Sequence, residues 1–278
     1  MRRMSRITIR PMTRTVLLAL DTSTEFCSVA LLLADSASAS VAVPDPAPVQ
    51  SAVAPHYASG GVRVWFRHEA TGAVSSTRLL PAVRELFDEA GVALADCAAI
   101  AFGAGPGSFT GLRTATGVAQ GLAFGLNVPV VPVSTLLACA ESARLNDPSI
   151  PPRVLAALDA RMDEVYWADY EFDAATGEWR TLHAASLDAP AALPLPDAPF
   201  ALAGNAAAAF GERLPAVSAA ACVDREALPH ALPVALIGLR ALRAGRTVAP
   251  EHAAPDYVRD KVAQTTAERM QARAEASR

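Results

Sequence analysis

Seven of the sixteen glycines fall in one run, Gly103-Ala-Gly-Pro-Gly-Ser-Phe-Thr-Gly-Leu-Arg-Thr-Ala-Thr-Gly-Val-Ala-Gln-Gly-Leu-Ala-Phe-Gly125. Gly103, Gly105 and Gly107 alternate just after the apolar stretch 98–102, where a strand ends and the backbone turns sharply toward a helix. Free N–H groups and the helix dipole make such a loop a natural cradle for phosphate. Neither familiar fingerprint fits. G-x-G-x-x-G fails because Ser108 and Thr110 stand where its third glycine belongs, and G-x-x-x-x-G-K-[ST] fails for want of a nearby lysine. The alternative is a tight strand-to-helix turn whose glycines permit close packing.

Gly117, Gly121 and Gly125 then recur every four residues within a helix. Each interior glycine costs about 0.5–1 kcal/mol relative to alanine, so the three together forfeit about 2–3 kcal/mol. Leu112, Ala115, Ala119, Leu122 and Leu126 form an apolar stripe beside them, and Arg113 continues the glycine line one turn earlier. A strip of small residues lets a second helix approach closely. Either the protein's own core or another subunit supplies that helix.

Other candidates are sparser. Asp21 and Asp159 each end an apolar run; they bind a metal–phosphate, act as a base, or cap the turn that follows. Thr22, Ser23 and Ser108 have no recognisable histidine partner, which argues against a serine hydrolase. The cysteines (Cys27, Cys97, Cys139, Cys222) form no C-x-x-C pair, and the five histidines no i,i+4 pair. No metal site is expected, and reduced, buried thiols in a cytoplasm are the default.

The elements that must position these residues follow from periodicity. The runs 16–20 and 26–33 read as a hairpin, and 62–68 alternates as a third strand. Residues 77–90 carry apolar side chains at helical spacing, with Gly91 as the stop. A strand (98–102), the glycine loop, the glycine helix, a strand (128–133) and a helix capped by Ser134 complete a first half. Residues 146–152 form a linker. Beyond it 154–159 repeats the earlier pattern of an apolar run ending in Asp, followed by strands at 165–170 and 179–185. A strand at 200–204, a short helix at 205–213 and a longer helix at 233–244 close the second half. The order suggests a duplicated β-β-β-α-β-α unit.

Across 278 residues the net charge is −4 and the pI about 5.8, which gives no electrostatic ground for autonomous nucleic-acid binding. No apolar run is long enough to span a bilayer. Residues 1–14 hold the one basic cluster (Arg2, Arg3, Arg6, Arg10, Arg14) and read as a disordered extension or an upstream start. Residues 35–60 lack periodicity and read as a surface insertion.

Four segments together resemble the TsaB (YeaZ) family: Leu-Ala-Leu-Asp-Thr-Ser-Thr-Glu-Phe-Cys-Ser-Val-Ala (18–30), Gly-Ala-Gly-Pro-Gly-Ser-Phe-Thr-Gly-Leu-Arg (103–113), Leu-Asp-Ala-Arg-Met-Asp-Glu-Val-Tyr (158–166) and Pro-Asp-Tyr-Val-Arg (255–259). Gly105, Pro106, Gly107, Ser108, Thr110 and Gly111 lie in the most specific of these. The resemblance implies an α/β, two-lobed fold of the acetate kinase/sugar kinase/Hsp70/actin type, built from duplicated βββαβα domains at 15–145 and 153–260, with a tail at 261–278. It implies a cytoplasmic scaffold without catalytic residues, which binds and activates a TsaD-like transferase as it forms N6-threonylcarbamoyladenosine in tRNA next to the anticodon. A TsaE-like ATPase joins that complex, tRNA is met only through it, and ATP or ADP has a place only at the interface with those partners. Alone, the chain can pair with itself.

On this sequence the implied partner surface comprises Leu79, Leu80, Val83, Arg113, Gly117, Gly121 and Gly125. The family's His-Ser-Glu before the first helix is absent here, where the chain reads Ser75-Ser-Thr-Arg. Arg161 and Met162 are expected to fill the space where superfamily enzymes bring backbone close to a nucleotide phosphate. The rival is an ATP-dependent small-molecule kinase of the same superfamily. A metallo-endopeptidase is disfavoured, since no histidines stand at the first helix.

Overall fold

Leucine, valine and alanine fill both faces of the first strands, so the chain builds sheets covered on each side. The computed structural model describes residues 14–35, 57–59 and 61–259; the basic start, most of the 35–60 insertion and the tail lie outside the described residues. β1 (Arg14–Asp21) and β2 (Phe26–Asp35) form the expected antiparallel hairpin, with Leu18 opposite Leu31. β4 (Val62–Ala70) pairs with β2. The insertion is not wholly loop: its last residues form β3 (Tyr57–Ser59), an edge strand on β4.

α1 (Ser75–Ala90) ends at Gly91, whose φ of 62° is the left-handed stop that its residue type predicts. β5 (Ala99–Gly105) runs parallel to β1 and leads into α2 (Phe109–Leu126). β6 (Val130–Ser134) joins β5, and Ser134 Oγ caps α3 (Thr135–Asn146) by accepting the Leu137 N–H.

The second sheet contains β7 (Arg153–Asp159), β8 (Val165–Asp173), β9 (Glu178–Asp188), β10 (Ala201–Ala203) and β11 (Cys222–Asp224). Its helices are the short α4 (Ala206–Phe210) and α5 (Ala216–Ala219) and the long α6 (Ala231–Arg243). The orders β4-β2-β1-β5-β6 and β9-β8-β7-β10-β11 correspond strand for strand, with the same pairing directions. The duplication is therefore real, with one correction. Between β9 and β10 the second repeat has only a 3-10 turn, Pro190–Ala192, in place of a helix. Prolines at 190, 194, 196 and 199 remove the donors and the φ freedom that a helix there would need.

The sheets divide at the 146–152 linker, but the helices do not. α6 packs on β1, β2 and β5 of the first sheet, while α3 packs on β7 and β8 of the second. Gly238 makes the first contact possible, because a Cβ there would lie 2.7 Å from the Ala101 Cβ. α3 and α6 also touch each other, and a buried polar cluster joins them: Arg240 Nη2 donates to Glu141 Oε1 at 2.7 Å, and Trp179 Nε1 donates to Glu141 Oε2.

Removing one member of a buried ion pair strands its partner. Glu141→Ala is expected to lower the unfolding free energy by about 3–5 kcal/mol, read as a lower urea midpoint.

Candidate functional site

β1 and β5 are adjacent parallel strands, so the turn after β1 and the glycine loop after β5 must emerge side by side. The loop lies directly on that turn. A Cβ on Gly107 would stand 2.7 Å from the Ser23 carbonyl oxygen, and one on Gly111 would stand 1.7 Å from that of Thr22. The Ser108 N–H donates to the Ser23 carbonyl at 2.8 Å, and Thr22 Oγ1 donates to the Gly111 carbonyl at 2.6 Å. Ser108 Oγ accepts the Gly111 N–H and caps α2. Thr135 Oγ1 donates to the Pro106 carbonyl, and the Gly105–Pro106 peptide is cis. Of the two open explanations for the loop glycines, close packing is the one the geometry supports: the room they leave is taken by the protein's own backbone.

Gly103 serves Asp21. A Cβ at residue 103 would come within 1.9 Å of Asp21 Oδ2. Asp21 Oδ1 accepts the Ser23 N–H and hydroxyl at 3.0 and 2.8 Å, whereas Oδ2 is buried with no partner among the described residues. Burial pushes this carboxyl up to about 6, against the opposing effect of the two Ser23 bonds. Asp159 plays the equivalent part in the second repeat: Oδ1 accepts the Arg161 N–H at 2.8 Å and Oδ2 pairs with the Arg161 guanidinium at 3.2 Å. Both aspartates cap their own turns.

The two turns face each other across a 640 Å³ cleft between the lobes, lined by Ser23, Ser108, Asp159, Arg161, Tyr257 and Arg259 among others. Arg161 and Met162 border this cleft but do not pack into it, contrary to expectation. Both are largely exposed, Met162 at 60%. The reason is backbone shape: Arg161, Met162 and Asp163 all adopt left-handed φ, at 62°, 57° and 63°. A strap formed by residues 255–259, which spacing gave no way to place, crosses the cleft instead. The Asp256 N–H donates to the Ala104 carbonyl at 2.7 Å. Among the described residues no three histidines, cysteines, aspartates or glutamates are grouped to hold a metal. All four cysteines are free, with Cys27, Cys97 and Cys139 buried; burial pushes the Cys27 and Cys97 thiols up to about 11 and 12.

The glycine strip behaves oppositely to the loop. Among the described residues a Cβ on Gly117, Gly121 or Gly125 would meet nothing within 4 Å, so the described core does not supply the approaching helix. Exposed Phe124 lies beside the strip, and Leu80 on neighbouring α1 is exposed too, at 58% and 49%. Arg113 is exposed with its guanidinium 3.8 Å over the Phe109 ring. Leu79 and Val83 need correction. Both are buried under α1 in the core with Leu31 and Leu86, so neither can touch a partner. Phe124 is the surface residue that spacing missed; its apolar type on a line of exposed positions was the available signal.

Two sheets of matching strand order, joined by exchanged helices beside a cleft, define an α/β protein of the acetate kinase/sugar kinase/Hsp70/actin type. A family model described as TsaD, tRNA N6-adenosine threonylcarbamoyltransferase, matches residues 69–267. The "tRNA threonylcarbamoyladenosine biosynthesis protein TsaB" of Escherichia coli (strain K12) is 36% identical over 253 residues, covering 89% of this chain and 96% of that one. Its namesake in Haemophilus influenzae is 40% identical over 153 residues, 55% of this chain and 52% of the other. The solved structure of YeaZ from Pseudomonas aeruginosa superposes with a TM-score of 0.71 at 39% identity, covering 87% of this chain and 99% of that one. The chain belongs to the TsaB (YeaZ) family.

The two glycine classes predict opposite substitution effects. Gly111→Ala forces a backbone contact apart and is expected to cost about 3 kcal/mol. Gly121→Ala, in open space, should stabilise the isolated chain by about 0.5–1 kcal/mol; urea unfolding distinguishes the two. Because its folded pKa is raised, Asp21 favours the folded state most below the ordinary carboxylate range and loses that contribution as pH rises to about 6. Wild-type minus Asp21→Asn unfolding free energies should therefore fall by roughly 2 kcal/mol between pH 4 and pH 6.5.

Proposed function

We propose that this chain is a non-catalytic scaffold subunit that binds and activates a TsaD-like transferase, in the formation of N6-threonylcarbamoyladenosine in tRNA next to the anticodon. The observation that carries the reading is the open strip on α2. Three glycines in a helix interior cost about 2–3 kcal/mol, and no neighbour among the described residues offsets it. A helix from a partner, packed at the short axial distance that only glycine permits, does offset it. Phe124 and Leu80 supply apolar area beside the strip, and Arg113 a cation at its end.

The family membership supports this choice of partner. The relatives are named for threonylcarbamoyladenosine biosynthesis, and the matching family model is that of the transferase itself. Two chains sharing one fold can pair through equivalent helices, as subunits related by a pseudo-twofold do. A TsaE-like ATPase joins the pair, tRNA is reached through the complex, and a nucleotide enters only where the subunits meet. Without its partner the same strip serves self-pairing. The kinase alternative gains nothing from the loop, whose glycines are occupied by the Thr22 and Ser23 backbone.

Gly121→Leu should abolish co-elution with the TsaD-like transferase on size-exclusion chromatography while the circular dichroism spectrum and thermal midpoint stay near wild type. Normal co-elution of the variant would place the interface elsewhere.

A further inference from the structure

The Pro-Asp-Tyr-Val-Arg segment is left unexplained by a docking role for α1 and α2. We propose that residues 255–259 form an interlobe latch, tying the glycine loop of the first lobe to the β7–β8 turn of the second and fixing that turn in its left-handed shape. The proposal stands independently of the docking surface.

The strap is held on the first lobe at successive points. Val130 and Val248 exchange two backbone hydrogen bonds at 2.9 Å, which anchors the chain soon after α6. The Asp256 N–H bonds to Ala104, and the Asp256 carbonyl lies so close to Gly105 that a Cβ there would stand 2.5 Å from it. With φ at 127°, Gly105 is thus required both by its own backbone and by the strap. Arg113 Nε donates to Tyr257 Oη at 2.9 Å, and the Tyr257 ring centroid is 5.7 Å from that of Phe109.

Two residues later the strap is fixed to the other lobe. The Arg259 guanidinium donates to the Glu164 carboxylate and to the Arg161 carbonyl at 3.5 Å, contacts the Met162 sulfur at 3.5 Å, and sits 5.8 Å from the Tyr166 ring. Its side chain is 14% exposed. From Tyr257 to Arg259 a fully extended chain spans only about 7 Å. The lobes cannot separate here by more than the slack in that span unless one anchor breaks.

The second anchor also bears on strain. Left-handed backbone is unfavourable for any residue other than glycine, and three such residues occur consecutively. Arg259 grips the turn through one carboxylate, one carbonyl and one sulfur. Arg213 touches it as well, through Asp163 at 2.6 Å, but that contact lies wholly within the second lobe.

Hydrogen exchange of the full chain, read by mass spectrometry on peptides covering 103–109 and 160–165, tests the latch. Arg259→Ala removes the second-lobe anchor, and Tyr257→Ala weakens the first-lobe one by taking away its side-chain hydrogen bond with Arg113. Each should accelerate exchange on the order of tenfold in both peptides, including the one that the altered residue does not touch. Arg213→Ala should act on 160–165 alone. Acceleration confined to each variant's own end, or no acceleration at either end, would overturn the proposal. Use of both variants keeps the test decisive if one fails to fold, since the far-end effect is required of each separately.

Discussion

The contact between the 22–23 turn and the glycine loop is made from backbone to backbone, and much of the molecule is arranged around it. Carbonyl oxygens of Thr22 and Ser23 occupy the space where side chains at 107 and 111 would begin, so the loop cannot rise away from the turn without losing its own hydrogen bonds. That seating fixes where α2 starts and therefore which way its surface faces. It also buries Asp21 with one oxygen lacking a partner, an arrangement whose cost appears as a raised carboxyl pKa. Such a group is tolerated because its other oxygen caps the turn on which the loop rests.

The seven glycines of this run divide by what they face. Gly103, Gly105, Gly107 and Gly111 meet protein atoms at distances that no Cβ tolerates, whereas Gly117, Gly121 and Gly125 meet nothing among the described residues. One residue type thus serves internal packing in the first half of the run and leaves an open surface in the second. Composition alone does not separate these uses. The separation requires knowing that Thr22, Ser23 and Asp256 lie across from the loop, and those residues are 84 or more positions away in sequence from the glycines they face.

What could be read from the chain follows the same division between local and distant causes. The hairpin of β1 and β2, the span of α1 with its Gly91 stop, the Ser134 cap and the order of the duplicated strands all rest on periodicity or end chemistry within one element. Leu79 and Val83 were assigned to the surface by their place on a family helix, although their own spacing with Leu86 marked them as core; Leu80, off that line, is the exposed one. β3 escaped notice because three residues show no period, and the missing helix of the second repeat because a duplicated pattern carries an expectation that local prolines can veto. The strap has no periodicity at all, being extended and held by its ends.

A two-lobed protein with a central cleft has an intrinsic freedom, the angle between its lobes. Here three features act on it. α3 and α6 each sit on the sheet of the other repeat, so the lobes share a buried layer rather than a flexible joint. Glu141, Arg240 and Trp179 join that layer by charged hydrogen bonds away from water, which resist sliding because any displacement strands a charge. The strap spans the cleft on the side where the two Asp-capped turns face each other. Such restraint suits the scaffold role proposed above, because a surface presented at one fixed orientation loses less entropy when a partner docks.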